Sequence, residues 1–556
     1  MATTALSVEK FSDFLPLRNH AGRAIALFSD YGSWLGVTWG ANSLLEIRDT
    51  LSGEVYELNL GSSLHQAVSF PDRQEAVLMD GTQLRLGFSQ SGQILIELKA
   101  GESGSGHSDY ENQPQLPSPK IECKLPHRLD TRGDALWLLI GHDAAEAPMP
   151  AADLFERNRE RWNGFFQRAF DGMQMEDNPL SQVLMARGVA TLLWNLRAPL
   201  PDLPHHGVIP SPFYHRGYWA WDSWKHAHAL AFFAPELAAE QLRAQFHRQQ
   251  ADGMVPDHIK PNPREDNWCN TKPPMSAWAL HNLWKLNGME DVVRELFPKC
   301  EAQLDWWRIA RRVPGETLFR AGGVDYLSAT WEAGWDNSYR FKNAKLVSHG
   351  SWHLFDLWLP DLNSYICNDF RAMAAMAPVV GADPTPFAEE ADKLADAIQR
   401  ALWNEAKGCF CDVQASTGAS TGIISAASWI PVWVGIGSDF QRKRVRDKMT
   451  SASHFWTEVP FPSLSAAEAE FDPHGFWDGS VFNDHAAIAF QILGDTAGDA
   501  RERMRKHLAR HEAYFECYSP LDGAPVRGGR PAVPQFSWGA AAALEVLHGG
   551  PDPAPL

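Results

Sequence analysis

The sequence predicts a mainly α-helical fold, an (α/α)6 toroid preceded by an antiparallel β-sandwich. Three observations lead there. Residues 20–99 alternate apolar and polar with period two between short turns. From about Ala151 the apolar positions recur at helical spacing in roughly twelve segments. These segments come in pairs, and other junctions carry long loops rich in Trp, Pro, Asp and Asn.

In order along the chain, Leu44-Leu-Glu-Ile-Arg48 and Gln83-Leu-Arg-Leu-Gly-Phe88 read as strands, with Asp80-Gly81 and Ser91-Gly92 as turns. Gly101 to Pro117 is polar and rich in Gly and Pro, a long loop or linker. Ala135-Leu-Trp-Leu-Leu-Ile140 closes the sandwich. The boundary is placed at 150, with a catalytic domain over 151–550. Helices are expected at about 180–197, 221–233, 236–250, 274–287, 290–312, 363–380, 385–404, 421–436, 439–452, 481–493, 497–513 and 534–547. The 385–404 segment shows the pattern best. Pro386 stands at its start, and Phe387, Ala391, Leu394, Ile398 and Leu402 form one apolar stripe. Six helical hairpins with elaborate loops at one end make a toroid with a pocket at one mouth.

Composition narrows the function classes. The 556 residues are 44% hydrophobic and 21% charged, an ordinary globular balance. Lys and Arg number 50 against 68 Asp and Glu, a net charge of −18 that disfavours nucleic acid and anionic membranes as partners. No apolar run reaches the ~18 residues of a membrane span. Met1-Ala-Thr-Thr-Ala-Leu-Ser-Val-Glu-Lys10 lacks a basic segment followed by a long apolar one, so no signal peptide is read and a cytoplasmic location is expected. The cysteines (123, 269, 300, 367, 409, 411 and 517) are odd in number and scattered, as reduced thiols are.

Chemistry concentrates in Trp331-Glu-Ala-Gly-Trp-Asp-Asn-Ser-Tyr-Arg340. Two carboxylates, Glu332 and Asp336, lie among two indoles and a guanidinium. Gly334 and Asn337-Ser338 argue for a loop or a frayed helix start. An indole stacks on the apolar face of a pyranose, and its low-dielectric wall raises a carboxyl pKa until the group donates a proton near neutral pH. A Trp-rich core loop with a solvated Glu and a capping Asp would read the same way.

Four other segments share this character. In Arg216-Gly-Tyr-Trp-Ala-Trp-Asp-Ser-Trp-Lys225, Asp222 opens an apolar helix. It either caps that helix or accepts two sugar hydroxyls, kept ionised by the helix's positive end. Asp252-Gly-Met-Val-Pro-Asp257, with Asn270-Thr-Lys-Pro-Pro-Met275, is a rigid turn or a binding loop. Gly475-Phe-Trp-Asp-Gly-Ser-Val-Phe-Asn483 again joins Trp and Asp to a helix. The last is Tyr514-Phe-Glu-Cys-Tyr518, with Phe536-Ser-Trp-Gly539 beyond it. Acids beside Trp at loop-to-helix junctions are the distribution expected of a carbohydrate pocket at a barrel mouth.

These segments resemble glycoside hydrolase family 63 and, more distantly, the trehalases of family 37. Residues 216–224 look like the Arg-Gly-Phe-x-Trp-Asp segment of those families. Asn270-Thr-Lys-Pro-Pro with Ala277-Trp-Ala279 is similar to Thr-Gln-Pro-Pro and Ala-Trp-Ala. Trp331 to Arg340 is similar to the motif whose Asp is the general acid, and Asp361-Leu-Asn363 matches a structural segment after it. Trp477-Asp-Gly-Ser480 resembles Trp-Arg-Gly-Pro, with Asp478 in place of Arg and Ser480 in place of Pro. Glu516, with Ser537-Trp538 downstream, matches the general base.

The resemblance implies an inverting α-glycosidase. It makes Asp336 the protonated acid and Glu516 the ionised base, with carboxyl groups roughly 6.5–9.5 Å apart across the sugar. Asp222, Trp221, Arg216, Lys272, Trp331, Glu332, Trp335, Arg340, Trp477, Asp478 and Trp538 would bind substrate. A small disaccharide or glycoside, with a terminal α-linked glucose or mannose, is the implied partner. No cofactor is implied, and no EF-hand spacing supports a structural Ca²⁺. A sugar epimerase or isomerase on the same toroid would instead converge two His, for which His226 and His228 are available. A carbohydrate-binding protein without chemistry is the third reading.

Overall fold

The computed structural model describes residues 8–11, 26–40, 44–100, 124–175, 178–213 and 216–548. The expected 101–117 loop lies outside them.

The first part is two antiparallel sheets. One holds β1 (Leu35–Trp39), β2 (Leu45–Asp49) and β3 (Val55–Leu58). The other holds β4 (Leu64–Ser69), β5 (Gln74–Leu78), β6 (Gln83–Phe88), β7 (Ile94–Lys99), β8 (His127–Arg132) and β9 (Ala135–Ile140), in the order β4-β5-β6-β7-β9-β8. Period-two alternation divides the larger sheet's side chains. Leu84, Leu86, Ile96 and Leu138 face the core shared with Val37 and Ile47 of the smaller sheet. Leu95, Trp137 and Leu139 form a second cluster on the other face, with Leu154 and Phe155. Strand β8 went unread because its sequence, His-Arg-Leu-Asp-Thr-Arg, is polar and lacks a buried face.

Fourteen helices follow among the described residues: α1 (Leu154–Gly172), α2 (Pro179–Trp194), α3 (Ala220–Ala231), α4 (Pro235–Phe246), α5 (Ser276–Asn287), α6 (Glu290–Ala310), α7 (Tyr326–Ala333), α8 (Pro360–Val380), α9 (Thr385–Ala401), α10 (Ile430–Trp433), α11 (Asp439–Met449), α12 (Asn483–Leu493), α13 (Asp499–Ala509) and α14 (Ser537–Leu547). Helix α3 packs on α5, α5 on α8, α8 on α10, α10 on α12, α12 on α14, and α14 again on α3. These six form the inner ring of a toroid, and α2, α4, α6, α9, α11 and α13 pack outside it.

The ring explains the residues. All twelve residues of α3 are buried, because an inner helix meets protein on every side. Outer helix α9 buries only Phe387, Ala391, Leu394 and Ile398, the stripe visible in the sequence. Helix α10 is far shorter than the expected 421–436. A capping box at Ser425 and Ser428 opens a short 3-10 turn, Ala426–Trp429, and Gly435 and Gly437 stop the chain after it. Residues 331–333 are the end of helix α7, neither loop nor helix start. The capping box of Asp325 and Ser328 begins it, and Gly334, at φ 82°, ends it in the left-handed conformation.

Candidate active site

A cavity of about 90 Å³ opens at one mouth of the ring. It is lined by Pro210, Trp219, Trp221, Asp222, Lys272, Gly334, Asp336, Phe476, Trp477, Glu516, Arg527, Phe536 and Trp538. Most come from a loop-to-helix junction or the first turn of an inner helix.

Trp221 and Asp222 stand in the first turn of α3, whose start is tied down by Ala220 N–H donating to Asp257 C=O at 2.9 Å. Trp221 meets Trp538, in the first turn of α14, edge to face at 6.4 Å. Lys272 precedes α5 and donates from Nζ to the Trp331 carbonyl at 2.5 Å, with Asp257 3.7 Å away. Gly334 lets the chain leave α7 against the Trp221 ring, which lies 3.5 Å from where a Cβ would sit. Two residues on, Asp336 reaches the cavity. Trp477 stacks on Phe482 at 3.8 Å and 9°, which fixes its plane. Phe476 and Gln535 adopt φ 60° and 50°, costly for residues with a Cβ; backbone of this kind gathers at functional sites. Gln535 is held by a pair of hydrogen bonds to Ala26 N–H and C=O, so the first part of the chain braces this wall.

Three carboxyl groups therefore share one small cavity with two cations. Burial pushes Asp222 up to about 7, against the pull of Lys225 and Lys272. Burial also pushes Glu516 up to about 7; Arg527 opposes this, while Asp336 and Asp222 add to it. Burial raises Asp336 as well, with Lys272 and Arg527 opposing. At Asp222, loss of water thus works against the helix's partial charge.

Seven of the expected residues meet here: Trp221, Asp222, Lys272, Asp336, Trp477, Glu516 and Trp538. The other six do not line the cavity. Glu332 is wholly buried, accepts both arms of Arg311 and also the Gly322 and Thr271 amides; it anchors the end of α7. Arg340 is spent on two buried carboxylates, Asp361 at 2.8 and 2.9 Å and Asp412 at 2.7 and 3.0 Å. Trp335 is 1% exposed, stacked on His485 at 4.9 Å with the Arg340 guanidinium 4.6 Å from its ring. Trp331 contributes its carbonyl to Lys272. Asp478 accepts from Tyr339 N–H and fastens the 337–341 turn; burial raises it to about 6. Arg216 is exposed and donates to the Ser52 carbonyl at 2.8 Å.

Arg527 was missed. Val526–Arg527 pairs with Arg530–Pro531 across Gly528-Gly529, both at positive φ. Gly-Gly between two short runs is the signal of a two-residue hairpin and could have marked it. Trp219, Phe476 and Phe536 extend the aromatic lining of motifs already singled out.

The cavity lining contains no histidine among the described residues. Burial drives both His226 and His228 down to about 3, and His226 is hydrogen-bonded to Ser537 Oγ at 2.8 Å. Among the described residues no group of three or more His, Cys, Asp or Glu is placed to hold a metal ion, and no helix is long and apolar enough to cross a membrane.

Comparison with known proteins bears on this arrangement. The family model described as the mannosylglycerate hydrolase MGH1-like glycoside hydrolase domain matches residues 215–539. A mannosylglycerate hydrolase of Rubrobacter radiotolerans is 24% identical, over 61% of this chain and 93% of that protein. The family 63 mannosylglycerate hydrolase of Thermus thermophilus, in complex with Tris, superposes with a TM-score of 0.54 at 19% identity, covering 65% of this chain and 99% of that one. A bacterial glucoamylase complexed with acarbose has a TM-score of 0.55 at 12% identity, covering 94% and 92%.

Proposed function

The chain belongs to the MGH1-like glycoside hydrolases of family 63, and on that premise we propose that it removes one terminal α-linked glucose or mannose from a short soluble glycoside, hexosyl-glycerates included, with inversion at the anomeric carbon. The observation that carries this reading is the convergence of Asp336 and Glu516, 180 positions apart (516 − 336), on one indole-walled cavity.

Asp336 in its neutral form donates a proton to the glycosidic oxygen as the bond from that oxygen to the anomeric carbon breaks. Ionised Glu516 takes a proton from a water on the opposite face. The water's oxygen bonds to the anomeric carbon, and the free sugar emerges with the β configuration. Three carboxyl groups packed together resist full ionisation, so a proton stays in the cavity at neutral pH. The same crowding offers the developing oxocarbenium charge a carboxylate, Asp222, and the faces of Trp221, Trp477 and Trp538. The cavity is small on the scale of ligand sites, which favours one sugar ring over a bound polysaccharide. The scheme uses only water and carboxylates, so we propose no cofactor.

The test is incubation with α-linked disaccharides and glucosyl- and mannosyl-glycerate, assayed for free hexose. Proton NMR in the first minutes then reads the anomer. β-Hexose is expected first. An α-anomer first would overturn inversion, and no hexose from any member would overturn the substrate range.

A further inference from the structure

The cavity holds two cations, and one of them arrives in an unusual way. Arg527 sits on the short hairpin Val526–Arg527/Arg530–Pro531, whose turn is Gly528-Gly529 at φ 53° and 73°. Three contacts fix it. The Cys517 thiol, next to Glu516, donates to the Val526 carbonyl at 3.0 Å. The guanidinium lies 4.3 Å from the centre of the Phe476 ring. Its Nη1 meets Glu516 Oε2 at 3.2 Å.

We propose that Arg527 is a positioning residue for the base: its guanidinium, paired with Glu516 Oε2, holds that carboxyl in place and favours its ionised form. The inference rests on the hydrolase reading above.

Among the described residues, four other charged groups line the cavity with Glu516. Asp222 comes from α3, Asp336 from the turn after α7, Lys272 from the loop before α5, and Arg527 from the hairpin. Both neighbouring carboxyls oppose ionisation of Glu516, and Arg527 is the foremost group favouring it. Lys272 makes its contacts with the Trp331 carbonyl and Asp257, and with Arg527 it also favours ionisation of Asp336. Without Arg527, Glu516 would lose its paired cation while still facing two carboxyls, and its ionised form would be harder to reach near neutral pH.

A base works above its pKa, so activity falls as pH drops through that of Glu516. Removing the cation raises that pKa, so the acidic limb of kcat/KM moves to higher pH, by about one unit for an opposite charge at this distance. The variants are R527Q, which keeps size and loses charge, and R527K, which keeps charge. R527Q is expected to move the acidic limb and R527K to leave it near that of the parent.

A second readout needs no substrate. A water-soluble carbodiimide labels protonated carboxyls, and mass spectrometry of the peptide holding Glu516 follows labelling against pH. Its midpoint is expected to rise in R527Q alone. Equal shifts in both variants would show that stacking on Phe476, and no charge effect, is what matters, and would overturn the proposal. Unmoved midpoints in both would overturn it outright. A labelling shift in an enzyme that hydrolyses no glycoside would spare this inference while sinking the hydrolase reading.

Discussion

The ammonium of Lys225 lies 3.6 Å from the ring centroid of Trp221, whose indole also lines the cavity. It lies 4.4 Å from Trp538 as well, and its charge is answered by Asp484 at 3.0 Å. One buried cation on α3 thus holds two walls of the site, one from its own helix and one from α14. A desolvated cation on an indole is worth roughly 2 kcal/mol.

Replacing Lys225 by Met is expected to cost about 3–5 kcal/mol, chiefly because Asp484 is left charged and buried without its partner. Adding Asp484→Asn removes that charge and is expected to restore most of the stability. It does not restore the cation between the indoles, so KM stays raised. Thermal melts and steady-state kinetics on the three variants separate these effects; a double variant as unstable as the single one would mean the ion pair is not what holds this region.

Much of this molecule was legible in its sequence. Eleven of the twelve expected helical segments correspond to helices of similar extent, and the twelfth, 421–436, only to the short α10, because inner helices are continuously apolar and outer ones carry a clean stripe, as α9 does. Helices α1 and α7 were not marked out. Of the thirteen expected site residues, the seven that line the cavity stand mostly in the first turn of an inner helix or shortly before one, where the fold forces them toward the mouth. The six misplaced ones sit close to them in sequence. Trp335 and Asp336 are neighbours, yet the side chain of one stacks on buried His485 while the other reaches the cavity. Sequence proximity cannot distinguish these directions, because Gly334 breaks the helical periodicity that would have fixed them. Arg340 and Glu332 look like ligand-binding groups for another reason. Their partners Asp361, Asp412 and Arg311 are distant in sequence, so the pairing that removes them from the site is invisible until the chain is folded.

Asp336→Asn keeps the shape of the acid and removes its proton. Turnover of a substrate with a poor leaving group is expected to fall by roughly 10²–10⁴. Sugar binding, read by calorimetry or by quenching of the Trp221 and Trp538 fluorescence, should persist. Unchanged turnover would remove Asp336 from the mechanism.

Stability should depend on pH through the same carboxyls. Glu516 and Asp222 titrate at about 7 in the folded protein, well above their ordinary values of 4.5 and 3.8. From about pH 4 to about pH 7 the unfolded chain has lost these protons while the folded one keeps them. Unfolding then releases protons, so stability falls as pH rises through that window and levels off above it. Asp222→Asn or Glu516→Gln is therefore expected to stabilise the protein at pH 8 by about 3–5 kcal/mol, given about 1.4 kcal/mol per pKa unit. The gain should vanish toward pH 4. Melting curves at both pH values test it; a gain that is equal at the two would point to packing, not ionisation.

Arg340 provides the sharpest contrast between a binding residue and a structural one. Its guanidinium is wholly buried, and both Asp361 and Asp412 raise its affinity for the proton. With the fork engaged by two carboxylates, little of it is left for a sugar hydroxyl. Arg340→Ala would strand two buried carboxylates, a loss of about 3–5 kcal/mol or more. Arg340→Lys keeps the charge but cannot span both acids, because an ammonium lacks the planar fork; an intermediate loss is expected. Since the guanidinium also packs on Trp335, next to Asp336, the lysine variant should lose kcat more than it raises KM. Melting temperature and the split between kcat and KM read this directly. A lysine or alanine variant that melts like the parent and shows only a raised KM would return Arg340 to the substrate.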